Sequence, residues 1–299
     1  MNNRLKINSF IIITALLSLF VVGCNTLKAV KLEQSSQATP LTQLTVSAAA
    51  SLKGAMTEIK KIYEQEHPQS EIIYNFASSG SLQRQIEQGA PVDVFISAAV
   101  NKMDTLAEQE LLLTETRRDL LKNQMVLIAP ESNNKSNFQL DNFNDLTTEE
   151  ITTVALGQPA SVPAGKYAQE VLNSLQIADK VNSKAVYGKD VRQVLNYVAT
   201  GNVDAGIVYQ TDARLSDKVQ IVATAPEDTH SPVIYPIAVI KDSDRPEAAS
   251  QLIEFLATPE AQAVFEEYGF VTVNSKQLSM DVPTQKRDWK AYYDAVADR

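Results

Sequence analysis

From Leu44 onward, short apolar runs alternate with stretches of helical period. The runs are LTVSA (44–48), EIIYNF (71–76), VDVFIS (92–97), QMVLIA (124–129), TTVAL (152–156), KAVYG (184–188), AGIVY (205–209), QIVAT (220–224) and VIYPIAVI (233–240). Their length and their richness in Val, Ile, Tyr and Phe predict strands. Between them, Leu52, Ala55, Met56, Ile59 and Ile62 share one helical face, and so do Val191, Val194, Leu195 and Val198. Strand–helix alternation of this kind predicts an α/β fold with mostly parallel sheets, in which ligands sit at the carboxyl ends of strands.

Four of the strand-to-helix junctions place Ser, Ala or Gly where a helix begins. They are TVSAAASLKGA (45–55), YNFASSGSLQRQI (74–86), GQPASVPAGKYAQ (157–169) and VYGKDVRQV (186–194). A helix start leaves about four N–H groups without partners and carries roughly half a positive charge, so each is a potential anion contact. Small residues let an anion approach the backbone. Four such ends converging on one point would form a cage for a small oxyanion.

The amino terminus reads as a targeting segment. Arg4 and Lys6 precede the apolar run Phe10–Val22 and then Gly23-Cys24. Thirteen residues are short for a membrane span, which needs about 20. Val21-Val22-Gly23-Cys24 resembles a bacterial lipobox, which makes residues 1–23 a lipoprotein signal peptide and Cys24 the lipidated residue. Cys24 is the single cysteine, so no internal disulfide can form. Residues 24–41 are polar and weakly periodic and read as a flexible tether.

Composition narrows the function. The 299 residues exceed one compact core, so two lobes are expected. The net charge of −9 argues against a nucleic-acid partner. It also means that an anion would be held by local dipoles, against the overall field. G-x-G-x-x-G, P-loop, H-E-x-x-H and paired-cysteine signatures are absent from the sequence.

The ordered strings AAASL (48–52), FASSG (76–80), QIEQGAPVDVFISA (85–98), VPAGKYA (162–168), DVR (190–192), GIVYQTDA (206–213), YPIAV (235–239) and YGF (268–270) resemble the molybdate-binding proteins of bacterial ABC importers. The resemblance runs from Leu44 to Val273. It implies a two-lobed periplasmic-binding-protein fold of type II, with lobe 1 at 42–125 plus 236–275 and lobe 2 at 126–235. It also implies an anion held in the cleft between them, an ABC permease as partner, and an extracytoplasmic monomer with no cofactor, which lipidated Cys24 would anchor to the membrane. Molybdate is the implied ligand, with tungstate beside it. Molybdenum would be bound as its oxyanion, without direct metal ligands. Carried over position by position, the ligands fall on Ser51 and Ser79 (hydroxyl and N–H), Ala164 and Val191 (N–H), and Tyr209 (phenol). A tetrahedral dianion offers only acceptors, so a set made only of neutral donors suits it.

Each residue also has a plainer reading. A serine before a helix is commonly just an N-cap, Tyr209 ends an apolar strand, and Asp190 beside Val191 reads as a cap of the following helix. Sulfate shares the charge and shape of molybdate and is the alternative ligand. A serine hydrolase is the alternative class, but Ser51 and Ser79 lie outside any G-x-S-x-G elbow, and His67 and His230 sit in polar segments. Three features depart from the family pattern: Gln158 ahead of Pro159, Gly80 in place of a third small polar residue, and a tail at 276–299. The tail places Trp289, Tyr292 or Tyr293, and Val296 at helical spacing and reads as a docking helix.

Overall fold

The computed structural model describes residues 41–131 and 140–273. The signal segment, Cys24, the tether up to residue 40 and the 276–299 extension lie outside the described residues. Strand β1 (Thr42–Ala49) runs through a 3-10 turn (Ala50–Leu52) into α1 (Lys53–Glu66). Then come β2 (Ser70–Ala77), α2 (Ser79–Glu87), β3 (Val94–Ile96), α3 (Val100–Glu108) and β4 (Leu112–Asn123). The chain next builds β5 (Met125–Pro130), β6 (Val154–Gly157), α4 (Pro163–Ser174), α5 (Ala178–Asn182), β7 (Ala185–Gly188), α6 (Val191–Ala199), β8 (Ala205–Tyr209), α7 (Gln210–Ala213) and β9 (Val219–Thr224). It returns through β10 (Val233–Ile240), α8 (Pro246–Leu256), α9 (Pro259–Glu267) and β11 (Val271–Thr272).

These strands form two sheets, ordered β11-β4-β10-β3-β1-β2 and β7-β6-β8-β5-β9. The expected two-lobed α/β fold is present, but its sheets are mixed. Four pairings are parallel and five antiparallel, so "mostly parallel" describes only the β2-β1-β3 and β7-β6-β8 segments. The antiparallel pairings come from the strands at the crossings between sheets. The chain leaves the first sheet through β4 and β5, and returns from β9 to β10, which lies antiparallel to both β3 and β4. Nine strands match the apolar runs. Strand β4 does not, because its centre reads TETRRD. Arg117 there is buried, with its Nη2 2.5 Å from Asp104 Oδ1.

Within the first sheet β3 and β10 are buried along their whole length, as strands covered on both faces are. Along β10, Ile237 and Val239 enter one core, while Ala238 and Ile240 enter a second core with Leu82, Phe95, Met103 and Leu106. That alternation is the period-two geometry of a strand. The larger core also takes the buried face of α1, where Leu52, Ala55, Met56 and Ile59 are joined by Tyr63, with Ile62 only partly buried. The α6 face Val191, Val194, Leu195 and Val198 is buried as the pattern predicts.

Candidate functional site

The four small-residue junctions meet. Ser51, Ser79, Ala164, Val191 and Tyr209 line one cavity, together with Ala49, Ala50, Ala77, Ser78, Ala98, Val162 and Pro163. The cavity is small, about 10 Å³. Ser51 sits in the 3-10 turn before α1, and Ser79 and Val191 are the first residues of α2 and α6. Ala164 is the second residue of α4, after a proline at the first position. Backbone N–H groups at such positions precede the helical ladder and remain available to a ligand.

The hydroxyls are oriented by their neighbours. The backbone N–H of Ala98 donates to Ser79 Oγ at 2.9 Å, which leaves the Ser79 proton to point elsewhere. Ser78 Oγ donates to Ser81 Oγ at 2.8 Å, so this adjacent hydroxyl is already committed. Ser51 Oγ lies 3.0 Å from the phenol of Tyr235. Tyr209 differs: its ring is buried and its hydroxyl has no hydrogen-bond partner among the described residues. A buried hydroxyl without a partner costs free energy on the order of 1–3 kcal/mol, which a bound acceptor would recover. Burial, reinforced by Tyr235, Tyr167 and Asp212, holds its pKa well above the usual tyrosine value, so it stays a donor.

Among the described residues, no charged side chain lines this cavity. Asp190 caps α6, its Oδ1 accepting from Gln193 N at 2.9 Å, in line with the plainer reading. Arg192 reaches from α6 to the backbone of the first junction. Its Nη2 donates to Ser51 O at 3.1 Å and its Nε to Ala50 O at 3.3 Å. The same Nε lies 2.8 Å from Oδ1 of fully buried Asp212, close enough for an ion pair although not aligned as a hydrogen bond. Burial pushes the Asp212 carboxyl up to about 6, with Arg192 opposing and Asp190 adding to the rise.

A second bridge joins the two sides of the cavity: Gly80 N donates to Ser161 O at 3.0 Å. A Cβ on Gly80 would lie 2.6 Å from that oxygen, so the departure at position 80 serves close approach of backbone to backbone. Gln158 shapes the third junction through its carbonyl oxygen, which accepts from Ser161 N and Val162 N. The apolar wall of that junction is equally tight, because a Cβ on Gly165 would lie 2.0 Å from Gly157 O.

The histidines take no part in the site. His67 stacks on Tyr63 with ring centroids 4.3 Å apart, and His230 Nδ1 contacts Ser231 O. Neither pairs with a site serine, and among the described residues no group of His, Cys, Asp and Glu is arranged to hold a metal ion. Sequence reasoning missed Asn123, Tyr235 and the Ala98 amide as supports. Tyr235 lay in an apolar run read as plain strand, and the only advance signal was its hydroxyl, which burial obliges to find a partner.

Residues 44–271 match the bacterial extracellular solute-binding proteins. YvgL of Bacillus subtilis, named as an ABC transporter substrate-binding lipoprotein, is 45% identical over 84% of this chain and 93% of its own. The molybdate-binding protein ModA of Haemophilus influenzae is 38% identical over 76% of this chain and 89% of its own. A Clostridium difficile structure, described as the substrate-binding domain of a molybdenum ABC transporter, superposes with a TM-score of 0.61 at 44% identity, covering 78% of this chain and 99% of that one. On these matches the chain belongs to the bacterial extracellular solute-binding proteins, a family that serves transport and not catalysis.

Proposed function

We propose that this protein captures molybdate, and tungstate with it, outside the cytoplasm and delivers it to an ABC permease. The observation that carries this reading is the partnerless, buried hydroxyl of Tyr209 at a cavity otherwise lined by hydroxyls, helix-start amides and small apolar groups. Such a site offers donors and no carboxylate acceptor. It therefore suits a fully deprotonated tetrahedral anion. Relatives named for molybdate support that choice over other oxyanions.

In this reading Ser51 and Ser79 bind from lobe 1 (about 42–125 plus 236–275), and Ala164, Val191 and Tyr209 from lobe 2 (about 126–235). The assignment draws on the sheet memberships of β1–β4, β10 and β11 against β5–β9. An open form takes the anion on one lobe and closes when the second lobe's amides reach the remaining oxygens. Cys24 carries the lipid that keeps an acidic protein at the membrane.

Thermal unfolding of the chain from residue 25 onward, with molybdate, tungstate, sulfate, phosphate or no addition, tests the ligand. At a thousand times its dissociation constant a ligand stabilises by about 4 kcal/mol, a clear upward shift. A shift with molybdate and tungstate but not sulfate is the expected result. A shift with sulfate alone moves the protein to sulfate import, and no shift with any oxyanion overturns the cage. The double change Ser51→Ala with Ser79→Ala checks the residues: unchanged affinity would remove them from the site.

A further inference from the structure

A chain of hydrogen bonds runs from the crossing between the sheets to Ser51. Asn123, the last residue of β4, accepts from Gln124 N through Oδ1 at 2.9 Å, which fixes its amide so that Nδ2 faces the other way. Nδ2 then donates twice, to Thr211 Oγ1 at 2.8 Å and to Tyr235 Oη at 3.2 Å. Both amide protons are used, and Tyr235 is left with one proton of its own. Its second partner is Ser51 Oγ at 3.0 Å. Packing fixes the ring between Tyr209, at 6.0 Å, and Phe270, edge-on at 5.5 Å. Asn123 can only donate to Tyr235, so the buried phenol proton finds a partner when Tyr235 donates to Ser51, and in that arrangement the Ser51 proton is left for the cavity.

We propose that Tyr235, oriented by Asn123, is a positioning residue that locks Ser51 as a proton donor and so makes the site select fully deprotonated oxyanions over protonated ones. This rests on the molybdate-site reading above. A serine hydroxyl can donate or accept. Were Ser51 free to turn, its lone pair could receive the proton of hydrogen phosphate, and the site would tolerate that ion. With Tyr235 donating to it, accepting from the ligand as well would turn the Ser51 proton away from the anion and leave it buried without an acceptor. Ser79 is held the same way by the Ala98 N–H, so both hydroxyls face the ligand as donors.

The test is Tyr235→Phe in the chain from residue 25 onward, titrated calorimetrically with molybdate and with phosphate beside the parent protein. The expected result is weaker molybdate binding and tighter phosphate binding, lowering the molybdate-to-phosphate ratio by about tenfold or more, the scale of one misdirected buried hydrogen bond. Phosphate affinity of the variant is also expected to rise from about pH 8 to about pH 6 as phosphate gains its proton, relative to the parent. A purely structural role would weaken both ions together and leave the ratio alone. Asn123→Ala frees Tyr235 to reverse its bond, so it should move the ratio the same way, and it decides the question if the phenylalanine variant does not fold. A parent that binds molybdate, with variants whose ratio stays within about twofold of it, overturns this proposal alone. A parent that binds no oxyanion overturns it together with the molybdate reading.

Discussion

Arg192, on the first turn of α6, donates from Nη2 to the carbonyl oxygen of Ser51 at 3.1 Å. The residue after one proposed ligand thus grips the backbone of another across the space between the two sheets. Buried Asp212 holds the guanidinium from behind, with 2.8 Å between Nε and Oδ1. Geometrically this is a clasp, closed only when the two sides of the cavity meet.

Arg192→Ala is expected to weaken molybdate binding by about 1.5–3 kcal/mol, roughly tenfold to a hundredfold, through the lost charge-assisted bonds. The loss should appear chiefly as faster dissociation, measurable by stopped-flow displacement, because the clasp acts after the anion is enclosed. Arg192→Lys keeps a cation beside Asp212 but lacks the planar fork, so it should recover only part of the affinity. An unchanged dissociation rate in Arg192→Ala would deny the clasp a role in retention.

Tyr209→Phe separates ligand binding from folding. The phenol has no partner among the described residues, so removing it should leave unfolding stability without added ligand unchanged or slightly higher. Molybdate affinity should fall by about 1.5–3 kcal/mol. Urea unfolding without ligand and calorimetry with it give the two numbers. A variant that loses both stability and affinity would mark the tyrosine as core.

How far this was legible in advance depended on the range of each interaction. Helix starts, apolar runs and the four small-residue junctions are local patterns, and they located nine strands and the cavity wall. Strand β4 hid behind TETRRD because Arg117 is matched by Asp104 from another element. The pairing of Gly80 with Ser161, of Arg192 with Ser51, and of Asn123 with Tyr235 joins residues that only tertiary structure brings together. Resemblance to a family chose one residue at each junction, which propensity alone does not do. The glycine at 80 looked like a missing hydroxyl until its neighbour was known.

Gly80→Ala and Gly165→Ala should therefore fail in different ways. At Gly80 the added carbon would meet Ser161 O at 2.6 Å, an atom on the opposing side of the cavity. The sides can part to relieve it, so affinity should drop while ligand-free stability holds. At Gly165 the carbon would lie 2.0 Å from Gly157 O within one α/β layer, and nothing can swing away. That change should cost stability by about 1–3 kcal/mol or more, with or without molybdate. Thermal unfolding of both variants, with and without ligand, distinguishes the two cases; equal losses in both would contradict them.

Asp212 makes stability depend on pH in an unusual direction for a carboxylate. Its pKa rises from 3.8 to about 6 in the folded state, so between those values the native protein binds more protons than the unfolded chain. Stability from this group is thus full below the unfolded value and is lost as pH climbs through about 6. At neutral pH its burial costs about 3 kcal/mol, from roughly two units at about 1.4 kcal/mol each. Asp212→Asn removes that titration but keeps the shape. The variant should be more stable than the parent at pH 7, with the gap closing as pH falls toward 4, as followed by urea unfolding across that range. A gap that widened on acidification would mean that the Arg192 pairing outweighs burial and that the carboxylate is stabilising in the fold.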